Sequence, residues 1–116
     1  MLVFASPSHP PQIWLGALRR HLPDLVCRVW PDVPEPHKIE FALVWQPPPG
    51  LLRRLPNLKA IFSPGAGVEH ILADPDVPEV PVVRAVDRLL TQGMSEYVML
   101  HVLRQHRRLD TLQAAQ

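Results

Sequence analysis

A doubly wound α/β fold built on a parallel sheet is predicted by three features of the chain. Short apolar runs recur at Leu2 to Ala5, Leu25 to Trp30, Phe41 to Trp45, Leu58 to Phe62 and Val80 to Arg84. Helical patterns separate several of them, as in chains of alternating strands and helices with right-handed crossovers. The 15 prolines gather between the apolar runs, so they punctuate loops of a folded chain and do not mark a disordered tract.

Leu2 to Ala5 reads as a first strand, stopped by "SPSHPP". Gln12 to Leu22 then carries Ile13, Leu15, Ala17, Leu18 and Leu22 with Arg19 and Arg20 opposite, a helical pattern whose start suits Pro11, since a first-turn residue needs no N–H partner. Leu25 to Trp30 is the second strand and "PDVPEPHK" a loop. "FALVW" is apolar throughout, as buried parallel strands are. "LLRRL" allows one or two helical turns before Pro56. Leu58 to Phe62 and Val80 to Arg84 are the fourth and fifth strands, Pro81 standing at the mouth of the last, with a short helix, Val68 to Ala73, between them. The final helix runs from Thr91 to about Leu112. Its "YVMLHVL" is apolar nearly all round and anticipates burial on more than one face.

At 116 residues the chain is of one-domain size, able to enclose one modest core. Twelve Lys and Arg against 11 Asp and Glu leave a net charge of +1, which gives no electrostatic case for nucleic acid or an anionic membrane as partner. No apolar run is long enough to span a bilayer, and the N-terminus lacks signal-peptide features. The single cysteine, Cys27, has no internal partner; a reducing, cytoplasmic setting is expected, with Cys27 a small core residue in its strand.

In doubly wound sheets ligands bind beyond the carboxyl ends of the strands. That edge would collect Ser6 to His9, Trp45 to Gly50, Ser63 to Val68 and Ala85 to Thr91. The third segment begins "SPGAGVEH". It is not the dinucleotide fingerprint G-x-G-x-x-G: His70 occupies the third glycine position, and Arg84 stands at the next strand end where an acid would hold a ribose. Two glycines before a helix still let a ligand approach closely, and free N–H groups there suit a carboxylate as well as a phosphate. A tight turn that binds nothing fits the same spacing.

Together "FALVWQPP", "NLKAIFSPGAGVEHIL", "VPVVRAVD" and "MSEYVMLHVLRQHRRLD" resemble the N-terminal part of the D-isomer-specific 2-hydroxyacid dehydrogenases, most nearly the glyoxylate/hydroxypyruvate reductase A group. The four blocks cover nearly the whole chain in the family's order. The resemblance implies a flavodoxin-like substrate domain over 1–90 and a hinge helix over 91–116 that leads into a Rossmann nucleotide domain absent from this chain. It implies a substrate site in which Ala66, Gly67 and Val68 offer backbone N–H groups to the carboxylate of a small 2-oxo acid such as glyoxylate or hydroxypyruvate. Trp45 would shape the pocket, or else pack as a half-buried core residue. Met94 would approach the nicotinamide of NADPH or NADH, or else pack in a core. The family's catalytic arginine, glutamate and histidine follow the hinge helix, so no catalytic residue is assigned here, the chain alone is expected to be inactive, and no tight cofactor binding is expected of it. A homo-oligomer, a dimer through the exposed hinge-helix surface, is the implied assembly. Two departures stand out: Leu89-Leu90-Thr91 replaces a more glycine-rich approach to the helix, and Pro64 removes one N–H beside the cradle.

Other clusters read as structural. His101 and His106 are five apart and do not share a helix face, and no acid or thiol cluster joins them, so no metal site is expected. Glu69-His70 is expected as a solvated turn, Arg84 and Asp87 as an ion pair, and "RQHRR" at Arg104 to Arg108 as a solvated basic helix end. A second functional class remains: a non-enzymatic flavodoxin-like module that binds a ligand or a partner. Its phospho-receiver form is disfavoured, because no acid ends the first or third strand to hold Mg²⁺.

Overall fold

The structure is a computed structural model and describes residues 1–115. The described residues divide into two units, Met1–Ala85 and a second that begins at Val86.

The first unit is a five-stranded, all-parallel sheet. Its strands are β1 (Leu2–Ala5), β2 (Cys27–Val29), β3 (Phe41–Val44), β4 (Ala60–Ser63) and β5 (Val82–Arg84), in spatial order β2-β1-β3-β4-β5. This is the flavodoxin-like order, with its reversal of direction between β1 and β3. The helices of this unit are α1 (Pro11–His21) and α2 (Glu69–Leu72). Single 3-10 turns at Pro36–Lys38 and Leu52–Arg54 complete the β2–β3 and β3–β4 connections. Pro11 occupies the first turn of α1, and "LLRRL" forms one 3-10 turn.

Period-two alternation splits the apolar strands between two cores. Val3, Ala5, Ala42, Val44 and Ile61 face Ile39, Leu51, Leu52, Leu55 and Ile71 on one side of the sheet. Leu2, Phe4 and Leu43 face Leu15 of α1 on the other. Burial on both faces explains why these runs are continuously apolar. β2, at the edge, is only partly buried and shorter than its apolar run suggests. Cys27 lies in it half-buried, and burial pushes its thiol upward from the usual range, as befits an unreactive packing residue.

Asp74 pins two connections together. Its carboxylate accepts from the N–H of Gly50 (2.7 Å) and of Asp76 (3.0 Å), and those bonds hold its pKa below the ordinary value. Glu40 is lowered likewise by Lys59 and the N-terminal ammonium. A carboxyl group whose folded pKa is depressed stabilises the fold above its unfolded pKa and loses that contribution as pH falls through the folded value. The melting temperature should therefore fall as pH is lowered below about 4, near the unfolded Asp and Glu values. Asp74→Asn should flatten that fall in melts recorded between pH 6 and pH 3, and an unchanged profile would refute the assignment.

The second unit holds α3 (Arg88–His106) and α4 (Leu109–Ala114). The single helix expected from Thr91 to Leu112 starts earlier and is broken. Asp87 caps α3 by accepting from Leu89 N (2.8 Å), so Leu89-Leu90-Thr91 form its first turn and not a loop. Arg108 adopts a left-handed conformation (φ 51) between the two helices, and the Arg104 guanidinium pairs with Asp110 across the break. Part of the basic end is thus an ion pair. No residue of α3 is buried; Tyr97, Val98, Met99, Leu100, Val102 and Leu103 are all at least half exposed. The burial that their apolar character anticipates is not supplied by α4. Among the described residues, no helix is long and apolar enough to cross a membrane.

Candidate functional site

The site lies on the carboxyl edge of the first unit, where β1, β3 and β4 end. β3 delivers Trp45, whose N–H donates to Ala5 O (2.9 Å), and Gln46 then turns the chain through a left-handed φ of 46. Trp45 is half-buried and belongs to neither core. Its indole meets the His70 ring at 4.3 Å and the His9 ring edge-on at 5.8 Å. It also lies flat enough against the β4 loop that a Cβ on Gly65 would come 2.3 Å from Trp45 Cζ3. Gly65 is required here by close approach.

Ser63 shapes the loop that follows β4. Buried, its hydroxyl accepts from Gly65 N (3.3 Å) and donates to Gly67 O (3.2 Å), closing the turn around Pro64. Gly65 O accepts from Ala85 N (3.1 Å), and Ala66 O accepts from Arg84 Nη1 (3.3 Å). The carbonyls of the loop are thereby occupied. Among the described residues, the N–H groups of Ala66, Gly67 and Val68 have no protein acceptor. Three consecutive unpaired donors beside a guanidinium are available to an anion. The Glu69 carboxylate lies over Gly67, with Oε2 2.5 Å from where a Cβ would stand; being the end of a flexible side chain, it can swing clear.

Two structural expectations are corrected. Arg84 braces the Ala66 carbonyl and Asp87 caps α3, in place of the ion pair expected between them. His70 is not a solvated residue: it packs on Trp45, and its Nε2 is buried without a partner. An orphaned buried polar atom costs about 1–3 kcal/mol. His70→Phe should retain the ring contact and raise stability by about 1 kcal/mol in denaturant melts; a loss of stability would show that the nitrogen has a partner.

Ala66, Gly67, Val68 and Trp45 are thus brought together on one edge. Met94 stands exposed on α3 and packs in no core. Sequence reasoning missed Ser63, His70 and His9. For Ser63 and His9 the signal was positional, since they lie at or just beyond the ends of β4 and β1, but residue type alone did not separate them from loop residues; His70, inside α2, carried no such signal.

The residues here do not fit a dinucleotide. The third position of the glycine pattern carries the His70 side chain packed on Trp45, and Arg84 ends β5. An apolar groove of about 1160 Å³ runs beside α1, lined by Leu18, Leu25, Phe41, Leu43, Phe62 and Val83 among others, and reaches Ser63 and Arg84 at its edge. Its lining is mostly apolar, unlike the run of backbone donors at Ala66 to Val68.

No family model matches the chain. Among individual proteins, it is 36% identical over 121 residues to glyoxylate/hydroxypyruvate reductase A of Serratia proteamaculans, covering 99% of this chain and 38% of the relative. Among solved structures, a D-isomer-specific 2-hydroxyacid dehydrogenase of Xanthobacter autotrophicus, in complex with NADPH and MES, superimposes with a TM-score of 0.84 at 38% identity. That match covers 100% of this chain and 39% of the neighbour. An NADPH-dependent glyoxylate/hydroxypyruvate reductase of Sinorhizobium meliloti, in complex with NADP and sulfate, gives 0.72 at 39% identity, over 98% of this chain and 38% of that one. The chain therefore spans well under half the length of the relatives it matches.

Proposed function

We propose, for a chain that belongs in sequence and in fold with the D-isomer-specific 2-hydroxyacid dehydrogenases, that it supplies the substrate-orienting part of an NAD(P)H-dependent reductase of small 2-oxo acids. Glyoxylate and hydroxypyruvate are the substrates in view. In that reaction a hydride passes from the reduced nicotinamide to the carbonyl carbon and a proton to its oxygen, yielding a 2-hydroxy acid, of D configuration where that carbon is a stereocentre.

The observation that carries this reading is the run of three unpaired N–H groups at Ala66, Gly67 and Val68, directly after Gly65, which packs against the Trp45 ring. They hold the substrate carboxylate and so aim the keto carbon, while Trp45 limits the size of the acid. The first unit, Met1–Ala85, serves as the substrate domain and α3, Arg88–His106, as the hinge helix, with Met94 toward the nicotinamide. The nucleotide and the acid–base groups are held by residues outside this chain, so residues 1–116 alone bind the acid without reducing it. The apolar exposure of Tyr97 to Leu103 supports pairing of this helix with another surface, a second copy in a homodimer.

Oxamate, an unreactive 2-oxo acid analogue, tests the reading by calorimetry. Binding with a Kd of about 1 mM, worth about 4 kcal/mol, is expected, with no NADPH oxidation in the presence of glyoxylate. Absence of any oxamate binding, or turnover above background, would refute it. Glu69→Gln should tighten oxamate binding about threefold to tenfold, by removing a like charge a few ångströms from the incoming carboxylate. Weaker binding by this variant would place the anion elsewhere.

A further inference from the structure

Beside the cradle, the same edge presents a second, differently built donor. The strand order reverses between β1 and β3, and the crevice at such a reversal is where ligands of doubly wound sheets bind. The chain leaving β1 places His9 there. Its ring makes edge-on contacts with Trp14 (5.9 Å) and Trp45 (5.8 Å), so its position is fixed from two sides.

The hydrogen bonds around Ser6 set which nitrogen of His9 carries the proton. Ser6 Oγ accepts from His9 N (3.1 Å) and Ser8 N (3.4 Å), which uses both of its lone pairs. Its own proton is then free to donate to His9 Nδ1, 2.8 Å away, and the Ser8 hydroxyl lies 3.3 Å from the same atom. Nδ1 is therefore the acceptor, and the proton resides on Nε2. That Nε2–H has no acceptor among the described residues and, unlike His70 Nε2, is not a buried atom. A ring held in place, with its tautomer set and an outward donor unused, is arranged to meet a ligand.

Gly65 and the His9 ring both border the indole of Trp45, so His9 and the cradle share that ring as a neighbour. A ligand whose carboxylate occupies Ala66 to Val68 would meet His9 with its far end. We propose that His9 is a specificity-determining residue whose Nε2–H donates to a hydroxyl on the carbon beyond the keto group. It thereby selects a three-carbon hydroxylated 2-oxo acid over its deoxy counterpart. The inference rests on the carboxylate being held at Ala66 to Val68, as proposed above.

3-Hydroxypyruvate and pyruvate differ by that one hydroxyl, and their Kd values for the full chain measure its recognition. The wild type should prefer 3-hydroxypyruvate by about tenfold, the size of one well-made hydrogen bond. His9→Phe, which keeps a ring against the two tryptophans, should erase the preference and leave pyruvate binding within about twofold. His9→Gln, which restores an N–H at similar reach, should recover part of it. Long-range ¹⁵N–¹H spectra of the imidazole should show the Nε2–H tautomer in the free chain. Retention of the preference in His9→Phe, or an Nδ1–H tautomer, would overturn the inference. If pyruvate shifts the Ala66 to Val68 amides but the wild type shows no preference, the role of His9 falls and the carboxylate cradle stands. If neither acid shifts those amides, both fall.

Discussion

Gly65→Ala is expected to lower the melting temperature by about 5–20 °C and to abolish oxamate binding. The cause is a single contact. A methyl group at this position would sit 2.3 Å from Trp45 Cζ3 and 2.9 Å from Cη2, far inside van der Waals separation. Neither side can yield cheaply. The indole is a rigid ring flanked by His9 and His70, and the Gly65 backbone is tied by its N–H to Ser63 and by its carbonyl to Ala85. Overpacking of this kind costs about 1–3 kcal/mol, and each kcal/mol moves the midpoint of a domain of this size by about 4–8 °C. Gly67→Ala supplies the control. Its methyl group would meet only the end of the Glu69 side chain, which can rotate away, so a change within about 0.5 kcal/mol is expected. Equal melting temperatures for the two variants would mean that Trp45 is not seated against the loop.

Ile61→Ala should be more damaging to the fold, by about 2–5 kcal/mol, or about 10–30 °C in midpoint. Ile61 is fully buried in the middle of β4, paired in register with Ala42 of β3 and Val82 of β5. Truncation removes its contacts and leaves a cavity that flanking parallel strands cannot collapse to fill. Total stabilities of small domains are about 5–15 kcal/mol, so the variant would lie close to the unfolding threshold. Because β4 carries Ser63 and the loop beyond it, anion affinity should fall in step with the folded fraction. A midpoint within about 3 °C of wild type would contradict the burial assigned to this residue.

Much of the fold was legible in the sequence because buried parallel strands write themselves as unbroken apolar runs. Leu2 to Ala5 and Phe41 to Val44 needed no other signal. The edge strand β2 was less so, since its half-buried residues merge with the loops on either side. The break at Arg108 was not legible: a left-handed residue there is announced by neither glycine nor proline, and the ion pair from Arg104 to Asp110 that spans it depends on the break itself.

The candidate site divides in the same way. The glycine pair was visible in "SPGAGVEH", and its placement at the end of β4 followed from the strand pattern. The reason Gly65 must be glycine was not visible, because it is the indole of a residue twenty positions earlier. His70 was misread as solvated for the same reason: adjacency to Glu69 is local, whereas its contact with Trp45 is made by the fold. Side chains that meet only through a parallel sheet leave no spacing in the sequence to read. The exposed apolar face of α3, by contrast, was anticipated from "YVMLHVL" as a surface in need of a partner.

An amide-resolved ¹⁵N–¹H titration of the chain with oxamate tests the carboxylate cradle most directly. The expected result is saturable shifts largest at Ala66, Gly67 and Val68, with the Trp45 indole N–H moving alongside them. Shifts confined to other residues, with those three amides unmoved at saturating ligand, would contradict it.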